Sequence, residues 1–290
     1  MKFPEITYAN PTDPWLRRRI ILGMERWAGR DYFVPLYDTW RRDIVTGPGP
    51  VIRPMLDLMR LRLDVTGAWP PALDTSAPLV IVANHPYGIA DGIAALALAE
   101  ELGRPCRVLI NKDLMKIPEI RPYSLPVDFS QTRAARAANM AMRTEALKLL
   151  KEGVTIVVFP SGGVATAPSA FGRAVDLPWK TFTARMIQAS TAQVLPVYFE
   201  GQCSPLFHVA SRVNMTFRLS LMIRELRRMV GGTLKAQVGP IIPAADLAAF
   251  KDRLALMRLL YDRVHTMSGR PPSESRALAE LLPDYLKGEE

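Results

Sequence analysis

The chain has 290 residues, 49% of them hydrophobic and 22% charged, and its 37 basic and 28 acidic side chains leave a net charge of +9. This is the balance of an ordinary globular protein, long enough for one large domain with appendages. Two cysteines and three widely spread histidines fit neither a disulfide framework nor a zinc pattern, so no metal site is expected, and the expected compartment is reducing and cytosol-facing.

The opening residues, MKFPEITYANPTDPW, lack the apolar core of a signal peptide. Residues 1–72 read as an N-terminal helical, membrane-proximal extension, with TGPGPVIRP (46–54) as a loop. Within it, PWLRRRIILGMERWAGR (14–30) sets Trp15, Leu16, Ile20, Leu22 and Trp27 among five arginines. FRLSLMIRELRRMV (217–230) repeats that style with Leu219, Met222, Ile223 and Leu226 beside Arg224, Arg227 and Arg228. Basic, aromatic-bearing amphipathic helices suit an anionic membrane surface; the alternative is that each packs its apolar side inward and wets its arginines. No nucleic-acid-binding motif is present, so nucleic acid is not expected as the partner of the positive charge.

From residue 73 to 245 short apolar strands alternate with helices. PLVIVA (78–83), CRVLI (106–110), VTIVVF (154–159), AQVLPVYF (192–199) and TLKAQVG (233–239) read as strands, and 91–102, 131–151 and 180–190 as helices. This alternation predicts an α/β fold: a mixed, mostly parallel sheet covered by helices, with N- and C-terminal helical extensions. The C-terminal part, 246–290, is expected to start at Asp246 as a helix cap, to run helically to about 267, and to break at SGRPPSESR. No transmembrane helix is expected. The most apolar run, about 78–99, is interrupted by Asn84, His85, Pro86 and Asp91.

That interruption, ANHPYGIADG (83–92), joins a buried strand to a buried helix. Pro86 biases His85 toward extended geometry, which places it at the end of the strand or just beyond. Gly88 and Gly92 permit a tight turn, and Asp91 falls where a helix cap belongs. An imidazole and a carboxylate thus meet in the crevice beyond a strand's carboxyl end, where open α/β sheets bind ligands. General-base chemistry fits: the imidazole takes a proton from a hydroxyl, and the carboxylate orients it. The alternative is that Asp91 only caps and His85 only satisfies a backbone group.

Four blocks in order, NHPYGIADG, LINKDLMKIPEI, TIVVFPSGGVA and VLPVYFEGQCSPLF, resemble the glycerolipid acyltransferase superfamily over roughly residues 75–245. The likeness is strongest to its hemolysin-like branch, which includes lyso-ornithine lipid O-acyltransferases. Five residues, Pro86 to Ala90, separate His85 from Asp91, as in that branch; the superfamily's usual spacing is four. The resemblance implies His85 as the base on the acceptor hydroxyl and Asp91 as its orienter. It also implies acceptor contacts from Asn84, Lys112, Ser161, Gly162 and Gly163, and an acyl thioester donor, acyl carrier protein or acyl-CoA, with no other cofactor. The third block lacks the superfamily's glutamate and arginine, since Phe159-Pro160 is followed by Ser161, Gly162, Gly163, Val164 and Ala165. The expected acceptor is therefore a lyso-aminolipid, such as lyso-ornithine lipid or a sulfonated relative. The implied place is peripheral, on the cytoplasmic face of a bacterial inner membrane. Alternatives are 1-acylglycerol-3-phosphate as acceptor, a serine hydrolase using Ser161 with His85, His208 or His265, and a non-catalytic membrane adaptor.

Overall fold

The computed structural model describes residues 3–7, 9, 12–130, 132–213 and 215–287. Among these, seven strands form one sheet in the order β1-β7-β6-β2-β5-β3-β4. They are β1 (Arg62–Gly67), β2 (Leu79–Ala83), β3 (Cys106–Asn111), β4 (Ser124–Val127), β5 (Thr155–Val158), β6 (Gln193–Phe199) and β7 (Thr233–Val238). Neighbours from β6 to β4 all pair in parallel, β6 meets β7 antiparallel, and β1 runs parallel to β7. The sheet is mixed and mostly parallel, as the alternation of elements predicts. Five carboxyl ends therefore open onto one sheet edge.

Both faces of the central strands are covered, and the side-chain period of two sorts them. Leu79, Ile81 and Ala83 of β2 join one buried cluster and Val80 and Val82 the other. The first face is covered by α3 (Arg53–Leu58) and α4 (Ile89–Glu101), the second by α5 (Arg133–Lys151), α6 (Phe182–Ser190) and α11 (Arg253–Thr266). All five β2 residues are buried, and truncating Ile81 to alanine should cost about 2–5 kcal/mol. Helix α5 starts where Thr132 Oγ1 accepts the Ala135 N–H at 3.0 Å, and the chain turns out of it at Gly153, whose φ is +84°.

Several expectations need correction. Residues 62–67 are not helical or irregular: β1 lies inside the N-terminal extension and pairs with β7, because Leu63 and Val65 pack on the first core cluster. Ser124–Val127 is a further strand, too short and too proline-marked to stand out. Asp246 does not cap a long helix but lies within α10 (Ala244–Ala248); the cap of α11 is Asp252, which accepts from the N–H groups of Leu254 and Ala255. The proline-rich break is itself partly helical, since α12 spans Pro272–Glu280 with proline at its start.

The amphipathic segments also divide. Residues 217–230 are not one surface helix but parts of α8 (Met215–Ser220) and α9 (Met222–Met229). Met222, Ile223 and Leu226 are buried. The arginines of α9 reach the N-terminal helices α1 (Trp15–Trp27) and α2 (Arg30–Thr39): Arg224 lies over Trp27 at 5.6 Å and Arg227 over Tyr32 at 3.9 Å. Helix α1 behaves otherwise. Trp15 is 70% exposed and Trp27 66%, with Leu16 and Ile20 also exposed. Helix α7 (Pro205–Val213), which has no counterpart in the sequence reading, adds exposed Leu206, Val209 and Val213. Together with Phe217 they leave an apolar groove of about 320 Å³ between α1 and α7–α8. Among the described residues no helix is long and apolar enough to cross a membrane.

Candidate active site

Strand β2 ends at Ala83, and Asn84 and His85 follow it into the crevice. The Asn84 side chain is buried; its Nδ2 donates to the Phe199 carbonyl at 2.9 Å and its Oδ1 accepts the Phe199 N–H at 2.6 Å. Both ends of that amide are thus committed to the end of β6. Asn84 is a clamp, and the acceptor contact expected of it is not what its geometry provides.

The His85 carbonyl accepts the Ala165 N–H at 2.7 Å, its N–H donates to Asp176 Oδ1 at 3.1 Å, and its ring stacks on Phe159 at 4.1 Å. The ring keeps 17% of its surface open, whereas the Asp91 side chain is fully buried. His85 Nδ1 lies 3.3 Å from Asp91 Oδ2. This is hydrogen-bond distance, but the alignment is off-line, and Nδ1 makes no geometrically complete hydrogen bond. Such contacts commonly tighten only around substrate.

Asp91 does not sit at the helix cap. Gly88 is the capping residue and Asp91 is the third residue of α4. From there Oδ2 reaches back to the Tyr87 N–H at 3.1 Å, and Oδ1 is 3.0 Å from the Gly92 N–H. These bonds fix the carboxylate in place beside the imidazole. Gly88 has φ +77°, and a Cβ there would meet Val164 Cγ2 and Met222 Sδ at 2.9 Å. Gly201 of the fourth block has φ +114° and leaves room for the Tyr87 hydroxyl, 1.9 Å from where a Cβ would stand. First, third and fourth blocks therefore close on one another at the carboxyl edge of the sheet.

The profile of the family described as acyltransferase matches residues 68–230, more than half of the chain. The chain belongs to the acyltransferase family. A curated relative, the lyso-glycine lipid O-acyltransferase of Phocaeicola vulgatus, is 24% identical over 183 residues, 59% of this chain and 61% of that protein. The match thus spans about three-fifths of the relative's length. Among solved structures, the 1-acyl-sn-glycerophosphate acyltransferase PlsC of Thermotoga maritima aligns with a TM-score of 0.49 at 16% identity, over 88% of this chain and 98% of that one.

In this member of the family the remaining candidates are placed unevenly. Ser161 is 1% exposed, and its hydroxyl donates to the Gly163 carbonyl at 2.9 Å. No histidine hydrogen-bonds it among the described residues, which leaves it without the base a serine nucleophile needs. The Gly162 N–H donates to the Phe159 carbonyl at 2.9 Å. Two of the donors expected to meet the acceptor at this loop are therefore already committed. Gly163 packs tightly: a Cβ there would come within 2.9 Å of Leu177. Lys112 follows β3 on the same sheet edge and donates to Asp128 at 2.7 Å, a contact that raises the lysine pKa and lowers that of Asp128. A lipid anion would have to share it with Asp128.

The thiols offer no alternative nucleophile. Burial pushes Cys106 up to about 11 and Cys203 well above its ordinary value, so neither is a ready thiolate.

Sequence reasoning missed Phe159 as the imidazole's stacking partner, Asp176 as the acceptor of the His85 N–H, and Arg218, whose guanidinium bonds the Val164 carbonyl in the third block. Asp176 had a readable signal: it is a lone acid in the otherwise uncharged AVDLPW (174–179). Arg218 had none, because the contact joins residues far apart in the chain.

Proposed function

We propose that this acyltransferase moves a fatty acyl chain from an acyl thioester, on acyl carrier protein or coenzyme A, to the hydroxyl of a lyso-lipid. The observation that carries this reading is the His85–Asp91 contact of 3.3 Å at the open edge of the sheet, inside the segment that matches the family. Asp91 favours the tautomer with the proton on Nδ1, so Nε2 accepts the proton of the lipid hydroxyl as its oxygen attacks the thioester carbonyl. The tetrahedral oxyanion collapses, the C–S bond breaks, and the imidazolium returns the proton to the leaving thiolate. Asp91 stabilises the imidazolium between the two transfers.

The acceptor is a lyso-aminolipid. The third block carries no charged side chain from Phe159 to Ala165, and two of its donors face inward. A phosphate monoester would gain little there, because charge-assisted contacts are about twice as strong as neutral ones. A relative acting on a lyso-glycine lipid points the same way. The test compares kcat/KM for a lyso-aminolipid and lysophosphatidic acid with one donor, and the aminolipid should win. A preference for lysophosphatidic acid overturns the acceptor assignment and leaves the roles of His85 and Asp91 standing.

The protein works as a peripheral enzyme on the cytoplasmic face of a bacterial inner membrane. Exposed Trp15, Leu16, Ile20 and Trp27 of α1, with Arg17, Arg18 and Arg19 between them, suit an anionic lipid surface better than 217–230 does. Each such arginine contributes about 1 kcal/mol near that surface. Flotation with anionic vesicles should be lost on replacing Arg17, Arg18 and Arg19 by glutamate; retention equal to the unaltered protein sinks this assignment.

A further inference from the structure

A buried carboxylate outside the four blocks holds the backbone of His85. Asp176 lies on the loop between the third block and α6, and its side chain is 1% exposed. Oδ1 accepts the His85 N–H at 3.1 Å, and Oδ2 accepts the Trp179 indole N–H at 2.9 Å. His265 of α11 brings Nε2 to 3.8 Å from Oδ2. That imidazole is held by its Nδ1, 3.0 Å from the Tyr261 carbonyl, and by stacking on the Tyr261 ring at 3.8 Å. The loop itself is pinned to the third block: Thr166 and Val175 exchange backbone bonds, and the Lys180 N–H donates to the Pro160 carbonyl.

We propose that Asp176 is a positioning residue for the catalytic base, gripping the backbone of His85 and placing a second negative charge behind its ring. The proposal rests on the reading of His85 as base. The ladders of β2 end at Val82 on one side and Ala83 on the other, so the His85 N–H lies beyond the sheet and needs an acceptor. A carbonyl would serve that need alone. A carboxylate in this position is costly to bury, and what it adds is charge. Both of its oxygens accept N–H bonds, the arrangement of an anion, although burial pushes its pKa up.

The charge acts in a small company. His85 faces Asp91 from α4 and Asp176 from the loop. Around Asp176 stand His265 and Tyr261 from α11 and Tyr198 from β6, with Arg173 and Asp262 near His265. Two carboxylates therefore stand against one histidine, one at its ring and one at its backbone. Of the two, only Asp91 touches the ring nitrogen.

The experiment is Asp176→Asn in the full chain, beside His85→Ala, with kcat, KM and the pH profile of kcat/KM. An amide keeps one acceptor and loses the charge. It must also turn its NH2 toward one of the two N–H donors. The expected result is a kcat lower by about tenfold or more at near-constant KM. The acid limb of the kcat/KM profile should move to lower pH, by about half a unit or more, because the protonated base loses a stabilising anion. A change in thermal stability alone, with kcat and the acid limb as in the unaltered protein, overturns the proposal. If His85→Ala folds and stays active, the base assignment falls and Asp176 falls with it. If His85→Ala is inactive and Asp176→Asn is unaffected, only the positioning role is lost. Should Asp176→Asn fail to fold, Trp179→Phe removes one of the two bonds that fix the carboxylate against the His85 N–H. Its kcat should drop by about threefold at constant KM, and an undiminished kcat overturns the proposal.

Discussion

Among the described residues two imidazole–carboxylate pairs are built from the same chemical parts and differ in burial. His85 and Asp91 are six positions apart, 3.3 Å from each other, with the imidazole 17% open to the crevice. His265 and Asp176 come from distant parts of the chain, stand 3.8 Å apart, and are 6% and 1% exposed. In the first pair the carboxylate is held by local N–H groups of Tyr87 and Gly92, so one turn suffices to build it. In the second, Trp179, Tyr261 and the His85 backbone converge from three parts of the fold. Burial pushes His265 down and Asp176 up, while the N–H bonds from His85 and Trp179 to both Asp176 oxygens favour its anion. The difference is one of access: the crevice reaches the first imidazole, and the second is sealed.

The comparison breaks first if the two histidines respond alike to truncation. His85→Ala should lower acyl transfer by about 10³–10⁴-fold while leaving the melting temperature near its starting value, since a partly open ring is removed. His265→Ala should do the reverse. It leaves a cavity beside Tyr261 and Trp179 that costs about 2–3 kcal/mol, with a far smaller loss of turnover per folded molecule. Activity assays beside thermal melts check both, and equal losses of turnover would remove the distinction.

Asp91→Asn sharpens the role of the first pair. Asparagine keeps an oxygen for one of the Tyr87 and Gly92 N–H groups but cannot stabilise an imidazolium. A fall in kcat of about 10²-fold or more is expected, with the helix intact by circular dichroism. Full activity would reduce Asp91 to a brace for the start of α4.

How much of this was legible follows from the range of each contact. Five of the seven strands were read from runs of β-branched and aliphatic residues bounded by turns, because β2, β5 and β6 are buried on both faces and need no help from partners. The strand β1 was hidden, since Arg62 and Asp64 dilute its pattern and only the pairing with β7 makes it a strand. The pair His85 and Asp91 was visible because proline and glycine fix the turn between them. Asp91 as cap was a near miss of three positions, as Gly88 can start a helix through a positive φ without a side-chain oxygen. Asp176 and His265 could not be paired, because the contact depends on α11 crossing beneath β2 and β6. The arginines of 217–230 suggested a membrane face, but tertiary packing turned Arg224 and Arg227 onto Trp27 and Tyr32, a choice that amphipathicity alone does not decide.

The third histidine offers the mildest test, through pH. His208 is fully buried; its Nδ1 accepts the Ala167 N–H at 3.3 Å and lies 3.4 Å from Thr166 Oγ1. Burial lowers its pKa from 6.5, so below that value the unfolded chain binds a proton that the folded chain resists. Its contribution to stability is complete above pH 6.5 and is lost as the pH falls toward the folded pKa. His265, also lowered by burial, works in the same direction, whereas Asp176, raised by burial, works oppositely in its own window above 3.8. Melting temperatures measured from pH 7.5 to 5.5 should therefore decline on the acid side. His208→Asn places an amide oxygen where Nδ1 accepts and removes the titration, so its decline should be shallower than that of the unaltered protein, with activity at pH 7.5 preserved. Parallel curves would mean that His208 binds protons equally in the folded and the unfolded chain, and the acid sensitivity would then arise elsewhere, His265 included.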